Sequence, residues 1–556
     1  VKETILSLTI SFVFAFVFRG FVVEGFMIPT GSMAPTLMGA HMRFQNPENG
    51  YNWPVGPWNL QRDNQTPFAR QGTTAQPVIV NDPMSREVMG SGAGLTGVRP
   101  SAGDRIFVLK YLEKIFEPRR FDVVVFKNPL RPEQNFIKRL LGLPGEDVAI
   151  VDGDVFTRPA TTGGPSDQSW TGSEWKIQRK PDVVQRTAWQ LFFDSAYTPI
   201  PSTTNTVNRN TFQIPWLTSG SGWDMSGKTF YRCTSSEATT LSWDHARLPI
   251  IDIYPYNQTP MFVKNEQYAA LFGQRANLEE YFRRGSMYVL VYPVSDIKVS
   301  ANIKPVGAGL RCATVIAARG HQFRARIEGT TATIEMRKGT DGAWNTLTSA
   351  TTSLPAGVAT PVEFWHADQA LSLFVDGKRI AYATYDWPPD ERLQHVIGTD
   401  SVKAGVWKMD ALNILNQAPG MTRSQAWFEF SGSAFELYRV ALARDIHYQA
   451  AIYSPINAET GQEHTRRGKP ALATHPLSTL TLGPGEYFCC GDNSPASSDG
   501  RLWDIPSPWV AREFNDPPGI VDQRLMIGKA VVVYLPGIGR RGDIPMLDFG
   551  RMRWIW

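Results

Sequence analysis

Mainly β is the fold class this sequence predicts: an N-terminal helix of membrane-spanning length, a β domain split into separated pieces, and an antiparallel β-sandwich of jelly-roll type inserted into it. Three observations predict it. Gly 47 and Pro 40 in 556 residues favour turns and short strands over long helices. Apolar alternation in runs of four to eight residues recurs through the middle of the chain. The one long apolar run stands near the start. A hydrophobic content of 42% is ample for burial, and Lys+Arg 56 against Asp+Glu 52 leaves +4, too little for a nucleic-acid binder. Four cysteines with no Cys-x-x-Cys pair make neither a disulfide scaffold nor a zinc ribbon, so no metal and no cofactor is expected.

The first element is the apolar run. Thr4 to Val23 carries one charge, Arg19. A helix of that length covers about 30 Å, a bilayer core. Residues 1–24 are therefore expected to form a single-pass anchor in a lipid bilayer. A removable signal peptide fits less well, because no small-x-small cleavage site follows, and a buried helix is the other alternative.

Phe26-Met-Ile-Pro-Thr-Gly-Ser-Met-Ala-Pro-Thr-Leu37 comes next. Pro29 and Pro35 stiffen the backbone, and Gly31 allows close approach, so the segment can hold the Ser32 hydroxyl and neighbouring N–H groups in place. A nucleophile with an oxyanion hole requires that. The Gly-x-Ser-x-Gly elbow is absent, which argues against an α/β-hydrolase. Phe136-Ile-Lys-Arg-Leu-Leu-Gly-Leu-Pro-Gly-Glu146 reads as a strand ending in a Pro-Gly turn. Its alternation puts Phe136, Lys138 and Leu140 on one face. A desolvated lysine loses its preference for the charged form and can take a proton from serine. Gly491-Asp-Asn-Ser-Pro-Ala-Ser-Ser-Asp-Gly-Arg501 is a loop of short hydrogen-bonding side chains after the strand-like Tyr487-Phe-Cys-Cys. No histidine lies in these boxes, though His41 is near Ser32 in sequence.

With Gly103-Asp-Arg-Ile and Arg120-Phe-Asp-Val-Val-Val-Phe, these boxes stand in an order that resembles the bacterial type I signal peptidases, the Ser-Lys membrane proteases of the S26 family. The resemblance covers the anchor, Phe26–Gly39, Gly103–Phe156 and Gly483–Tyr534. It implies a membrane-bound endopeptidase that removes signal peptides from preproteins, cutting after small residues. Ser32 would be the nucleophile and Lys138 the general base. Ser497 would orient the lysine, and the Ser32 N–H and Thr30 hydroxyl would form the oxyanion hole. Arg139 with Asp492, and Asp499 with Arg501, would be supporting ion pairs. Ile28, Pro29, Phe136 and Ile137 would line the shallow substrate pockets. It implies a location in the bacterial inner membrane, with the catalytic domain on the periplasmic side.

Two stretches interrupt that pattern. Residues 41–100, rich in Asn, Pro, Gln and Gly, read as an irregular insertion. Residues 159–476 read as a larger one, entered just after the Asp152-Gly153 hairpin turn. The catalytic domain would then comprise 25–40, 101–158 and 477–556. The sandwich is clearest over 285–448, with strands expected at Tyr288–Tyr292, Ile297–Ile303, Ala313–Ala317, Phe323–Ile327, Ala332–Met336, Val362–Trp365, Leu371–Val375, Arg379–Ala383 and Phe435–Leu442. It is similar in pattern to concanavalin and laminin-G-like jelly rolls, a likeness that carries over no sugar-binding residue. The insertion holds no box residue, so the expectation is an accessory unit dispensable for chemistry, its ligand unspecified. A rival reading makes the whole chain a surface-anchored, non-enzymatic binding protein with the sandwich as its working part, recognising glycan or protein.

Overall fold

The structure, a computed structural model, describes residues 2–56, 78–85, 88–89, 101–110, 117–160, 170–172, 174–199, 214–227, 229–246, 248–252, 254–257, 261–262, 292–398, 423–457, 460–514, 517–537, 539–541 and 544–556, without the side chains of 14–19, 21, 78–79, 88–89, 261–262, 539–541 and 544–545.

The chain opens with α1 (Lys2–Phe21), whose Ile5, Leu6, Leu8, Ile10, Phe12 and Val13 are all exposed. Its length matches the expected anchor, yet among the described residues no helix is long and apolar enough to cross a membrane. Much of the apolar run that motivated the expectation, residues 14–19, lies outside the described side chains.

An antiparallel sheet follows, built from β1 (Val23–Met27), β2 (Arg105–Lys110), β3 (Val123–Lys127), β4 (Asn135–Gly142), β5 (Glu486–Cys490), β6 (Val521–Asp522), β7 (Met526–Leu535) and β8 (Arg553–Trp554). Its order is β1-β2-β7-β3-β4-β5-β6, with β8 also on β7. The long β7 is thus threaded between strands from the first quarter of the chain. Its Ala530 and Val533 share a core with Ile28, Met33, Leu37, Ile106, Val108, Val123, Val125 and Ile137. The opposite face of β4 buries Leu140 with Val124, Phe126, Cys489 and Trp503. Period-two alternation separates the two sets, as a strand buried on both faces requires.

Glu146–Val151 and Asp154–Pro159 form a hairpin whose turn residues, Asp152 (φ 48°) and Gly153 (φ 86°), take the left-handed conformation that a tight two-residue connection requires. Leu480–Thr481 returns to pair with this hairpin.

Between them lie two antiparallel sheets of eight and seven strands whose inward residues form one hydrophobic cluster, from Phe192 to Leu442. These sheets begin at Gln190–Asp194 and take in Trp216–Ser219, Phe230–Cys233 and Thr239–Trp243, well before the expected 285. Those early strands are only four or five residues long, and Trp216–Ser219 and Thr239–Trp243 are rich in Ser and Thr, so they lacked a strong alternation signal; Trp216 and Trp243 supply the burial instead, packed edge to face at 5.3 Å. Asn345–Thr351 and Gln425–Ser431 are further strands the alternation did not single out. The strand expected at Tyr288–Tyr292 lies, except for Tyr292, outside the described residues.

The stretch 41–100 is less irregular than expected. Met42–Gln45 pairs with Asn52–Val55, and Met42, Phe44, Trp53, Val55 and Val80 make a small core. Val78–Asn81 pairs with Met261–Phe262, so the two insertions join in one sheet.

Candidate active site

The Ser32 segment leaves β1 as extended chain and makes one 3-10 turn at Gly31–Met33, after which the Ala34-Pro35 bond is cis. Asp104, fully buried, holds it to the sheet: its carboxylate accepts from the Met38 N–H (3.0 Å) and from Gly537 N–H (3.0 Å), and its backbone pairs with Ile28 and Met38. Lys138 is buried on β4, opposite Val124 of β3. Its Nζ donates to Ser32 Oγ at 2.7 Å and lies 5.1 Å from the centre of the Phe136 ring. The 106 residues separating the pair in sequence are closed by the packing of the turn against β4.

Beneath the pair, the Gly491–Arg501 loop is fixed by two fully buried ion pairs. Arg139 donates to Asp492 through Nε (2.8 Å) and Nη2 (2.7 Å), and its Nη1 donates to the carbonyls of Phe121 and Trp556. Asp492 also accepts from Thr36 Oγ1 at 2.5 Å, tying the loop to the Ser32 segment. Burial alone would lower the Arg139 pKa; the Asp492 carboxylate overrides it and raises the value above the usual guanidinium range. Arg501 forks onto Asp499 at 2.9 and 2.8 Å. Burial would raise Asp499, but the Arg501 charge and the Gly491 N–H hold it below the usual carboxylate range.

Ser497 is buried, but its Oγ has no hydrogen-bond partner among the described residues, so the expected bond from Ser497 to Lys138 is not formed. Its place beside the pair is nonetheless clear. A Cβ built on Gly491 would fall 2.7 Å from Ser497 Cβ and closer still to Ser497 Oγ and the Ser32 carbonyl oxygen. Thr30 and Pro29 are exposed, Phe136 is half-buried, and Ile28 and Ile137 are buried in the core under the segment. The last two therefore support the Ser32 segment from beneath and are not open to a substrate. His41, near Ser32 in sequence, is wholly buried with Nδ1 on the Gly39 carbonyl, and burial pushes its pKa down to about 4.

Two residues in the sequence boxes had been given no role. Asn493 donates its N–H to the Ser32 carbonyl (3.0 Å) and its Nδ2 to the Gly31 carbonyl (2.9 Å). Asp104 is the other. A polar side chain inside a box, next to or near glycine, was the available signal for both.

The insertion, expected to be an accessory unit, contacts this site directly. Tyr254 Oη donates to the Asp492 carbonyl (3.0 Å), Gln449 N–H to Ser494 Oγ (2.7 Å), and Arg501 Nη1 to the Gln449 carbonyl (2.8 Å). At the hairpin tip, Arg319 pairs with Asp152 (2.6 Å) and Arg392 with Asp154 (2.6 Å). Asp154, Asp296 and Asp368 cluster there close enough to hold a cation, but Arg392, Arg319 and Lys180 already neutralise them at 2.5–2.6 Å.

Residues 98–210 match the family described as signal peptidase, peptidase S26. That segment contains Lys138 and Arg139 and runs into the larger insertion. A stretch of 156 residues, 28% of this chain, is 26% identical to signal peptidase I of Rickettsia typhi (strain ATCC VR-144 / Wilmington), covering 43% of that protein. The chain thus spans less than half the length of this curated relative. Among solved structures, 42% of the chain is similar to 96% of the carbohydrate-binding module CBM66 from Bacillus subtilis, at 8% identity and a TM-score of 0.22. Sheep galectin-11 is similar over 28% of the chain and 98% of its own, at 13% identity and a TM-score of 0.17. Likenesses this low carry no argument about function. The family match supports a signal peptidase role and a peptidase, hence hydrolytic, class of activity.

Proposed function

We propose that the protein is a signal peptidase I: a membrane-bound serine endopeptidase that cuts exported preproteins after small residues through a Ser-Lys pair and an acyl-enzyme. The observation that carries this reading is the 2.7 Å approach of Lys138 Nζ to Ser32 Oγ between two boxes 106 residues apart. A non-enzymatic binding protein has no use for a buried lysine held on a serine hydroxyl. In its neutral form Lys138 takes the Ser32 proton as Oγ bonds to the scissile carbonyl carbon. The electron pair moves to the carbonyl oxygen, where the Ser32 N–H and the Thr30 hydroxyl would hold it. Collapse breaks the C–N bond, and the lysine ammonium gives its proton to the leaving amine. Water then attacks the ester and passes a proton to Lys138, which returns it to Ser32 Oγ. The exposed apolar side chains at the start of α1 support attachment to a bilayer; the placement in the bacterial inner membrane with the site on the periplasmic side rests on the family resemblance alone.

The test is cleavage of a preprotein carrying Ala at the last and third-last positions before the cut. Ser32→Ala and Lys138→Ala should each abolish turnover while leaving the circular dichroism spectrum unchanged, since the two act as one unit. Turnover equal to the unsubstituted protein in either variant refutes the assignment.

A further inference from the structure

We infer that the larger insertion supplies positioning residues to the nucleophile turn, namely Tyr256 and Asn257, whose contacts set where Ser32 stands. The inference rests on the peptidase reading for its chemistry and on geometry for its residues. Tyr254–Asn257 lies within a 318-residue interruption, with a 3-10 turn at Pro255–Asn257, and none of its residues falls in a sequence box (the bounds being those expected above, 159–476).

Tyr256 is the wall. Its ring lies so near Gly31 that a Cβ added there would fall 2.7 Å from Tyr256 Oη and nearer still to two ring carbons. The ring is buried with Ala34 and Met38, and Oη donates to the Ala40 carbonyl at 2.6 Å. Tyr256 therefore touches the nucleophile segment on both sides of Ser32. Its own backbone is held by the smaller insertion, whose Gly56 N–H donates to the Tyr256 carbonyl at 2.7 Å. Gly31 accordingly has to be glycine because of a residue 225 positions away, and the requirement is one of space.

Asn257 is the tie. Its Nδ2 donates to Asn493 Oδ1 (2.8 Å), and Asn493 Nδ2 donates back to Asn257 Oδ1 (2.7 Å). The two amides form a closed pair. Asn493 spends its remaining donors on the carbonyls flanking the nucleophile: Nδ2 on Gly31 and the backbone N–H on Ser32. Asn257 thus fixes the plane of the amide that holds the Gly31 carbonyl, beside the backbone N–H of the same residue that holds the Ser32 carbonyl. Losing it leaves the Asn493 amide free to rotate and loosens its hold on the Gly31–Ser32 peptide, whose N–H would meet the developing oxyanion. Neither Tyr256 nor Asn257 touches the reacting atoms, so their effect must run through Gly31, Ser32 and Asn493.

The experiment uses the full chain in detergent, with peptide cleavage resolved into kcat and KM for Asn257→Ala, Tyr256→Ala, Asn493→Ala and the Asn257→Ala/Asn493→Ala pair. Asn257→Ala should lower kcat roughly ten-fold with KM little changed, short of the ~10²-fold that a 1 Å misplacement costs. The double variant should be no slower than Asn493→Ala, because Asn257 acts through Asn493. A merely structural residue would instead lower the folded fraction and multiply with Asn493→Ala. Unchanged kcat in Asn257→Ala, or multiplying losses, overturns the inference. Hydrogen exchange of the Ile28–Met38 peptide is followed in parallel. If the unsubstituted protein and Ser32→Ala prove equally inactive, the peptidase reading falls. Exchange then decides the positioning claim by itself: faster exchange in Asn257→Ala and Tyr256→Ala upholds it, and unaltered exchange overturns it.

Discussion

Gly491→Ala puts one methyl group where the structure has no room for it. The added Cβ would fall 2.7 Å from Ser497 Cβ, with Ser497 Oγ and the Ser32 carbonyl oxygen nearer still. Carbon atoms ordinarily rest about 3.5–4.0 Å apart, so something must give by about 1 Å. Ser497 is buried, and the Ser32 carbonyl is held by Asn493 N–H at 3.0 Å. Gly491 itself is held by its N–H on Asp499 Oδ2 at 3.0 Å. The displacement therefore falls on the serine backbone or on the loop beneath it. A shift of that size in an oriented reacting group costs ~10²-fold in rate, or about 2.7 kcal/mol of barrier. The expected outcome is a kcat/KM about a hundred-fold lower, carried by kcat, in a protein whose melting temperature and circular dichroism stay near those of the unsubstituted chain. The assay is steady-state cleavage of a short peptide, with folding measured on the same preparation. An alanine variant that cleaves at the original rate would show that Ser497 and Ser32 do not crowd Gly491, and the geometry argued for the site would be wrong.

Other substitutions test the supports. Asp492→Asn leaves the Arg139 cation buried without its carboxylate and should cost about 3–5 kcal/mol, read as a lowered urea midpoint; an unchanged midpoint refutes the pairing. Burial lowers the His41 pKa to about 4, against 6.5 in an unfolded chain, so its share of stability is complete above pH 6.5 and drains away as pH falls toward 4. That share is roughly 3 kcal/mol, and His41→Gln should flatten the acid limb of stability against pH by that order; parallel limbs would contradict it. Asp499, held low by Arg501, adds a loss beginning only below about pH 3.8, which separates the two in an acid titration. Replacing the insertion by a Gly/Ser turn between Thr157 and Leu480 removes Tyr254, Tyr256, Asn257 and Gln449 together. Peptide cleavage should fall by more than roughly ten-fold even where the remainder folds, and full activity in that deletion would restore the view of the insertion as a separate accessory.

The sequence by itself determined the mainly β class and singled out residues that the structure brings together around Ser32. Ser32, Lys138, Arg139, Asp492, Asp499 and Arg501 are recognisable because each sits in a short box whose Pro, Gly and alternating apolar residues constrain the backbone locally, and local constraints are written in adjacent residues. The strands from Ile297 to Val375 are legible for the same reason: apolar residues recurring at every second position fit a pleated strand with one face in the core and break the 3.6-residue period of a helix. Tertiary structure alone decided the rest. It threaded Met526–Leu535 between strands laid down some four hundred residues earlier, and it turned Trp216 and Trp243 into the burial that short Ser- and Thr-containing strands lacked. It also left Ser497 beside the nucleophile without a bond to Lys138. Above all, it brought Tyr256 against Gly31 and Asn257 against Asn493. Such contacts leave no periodicity and no motif, because complementarity of shape and paired amides across two hundred residues constrains each partner only through the other.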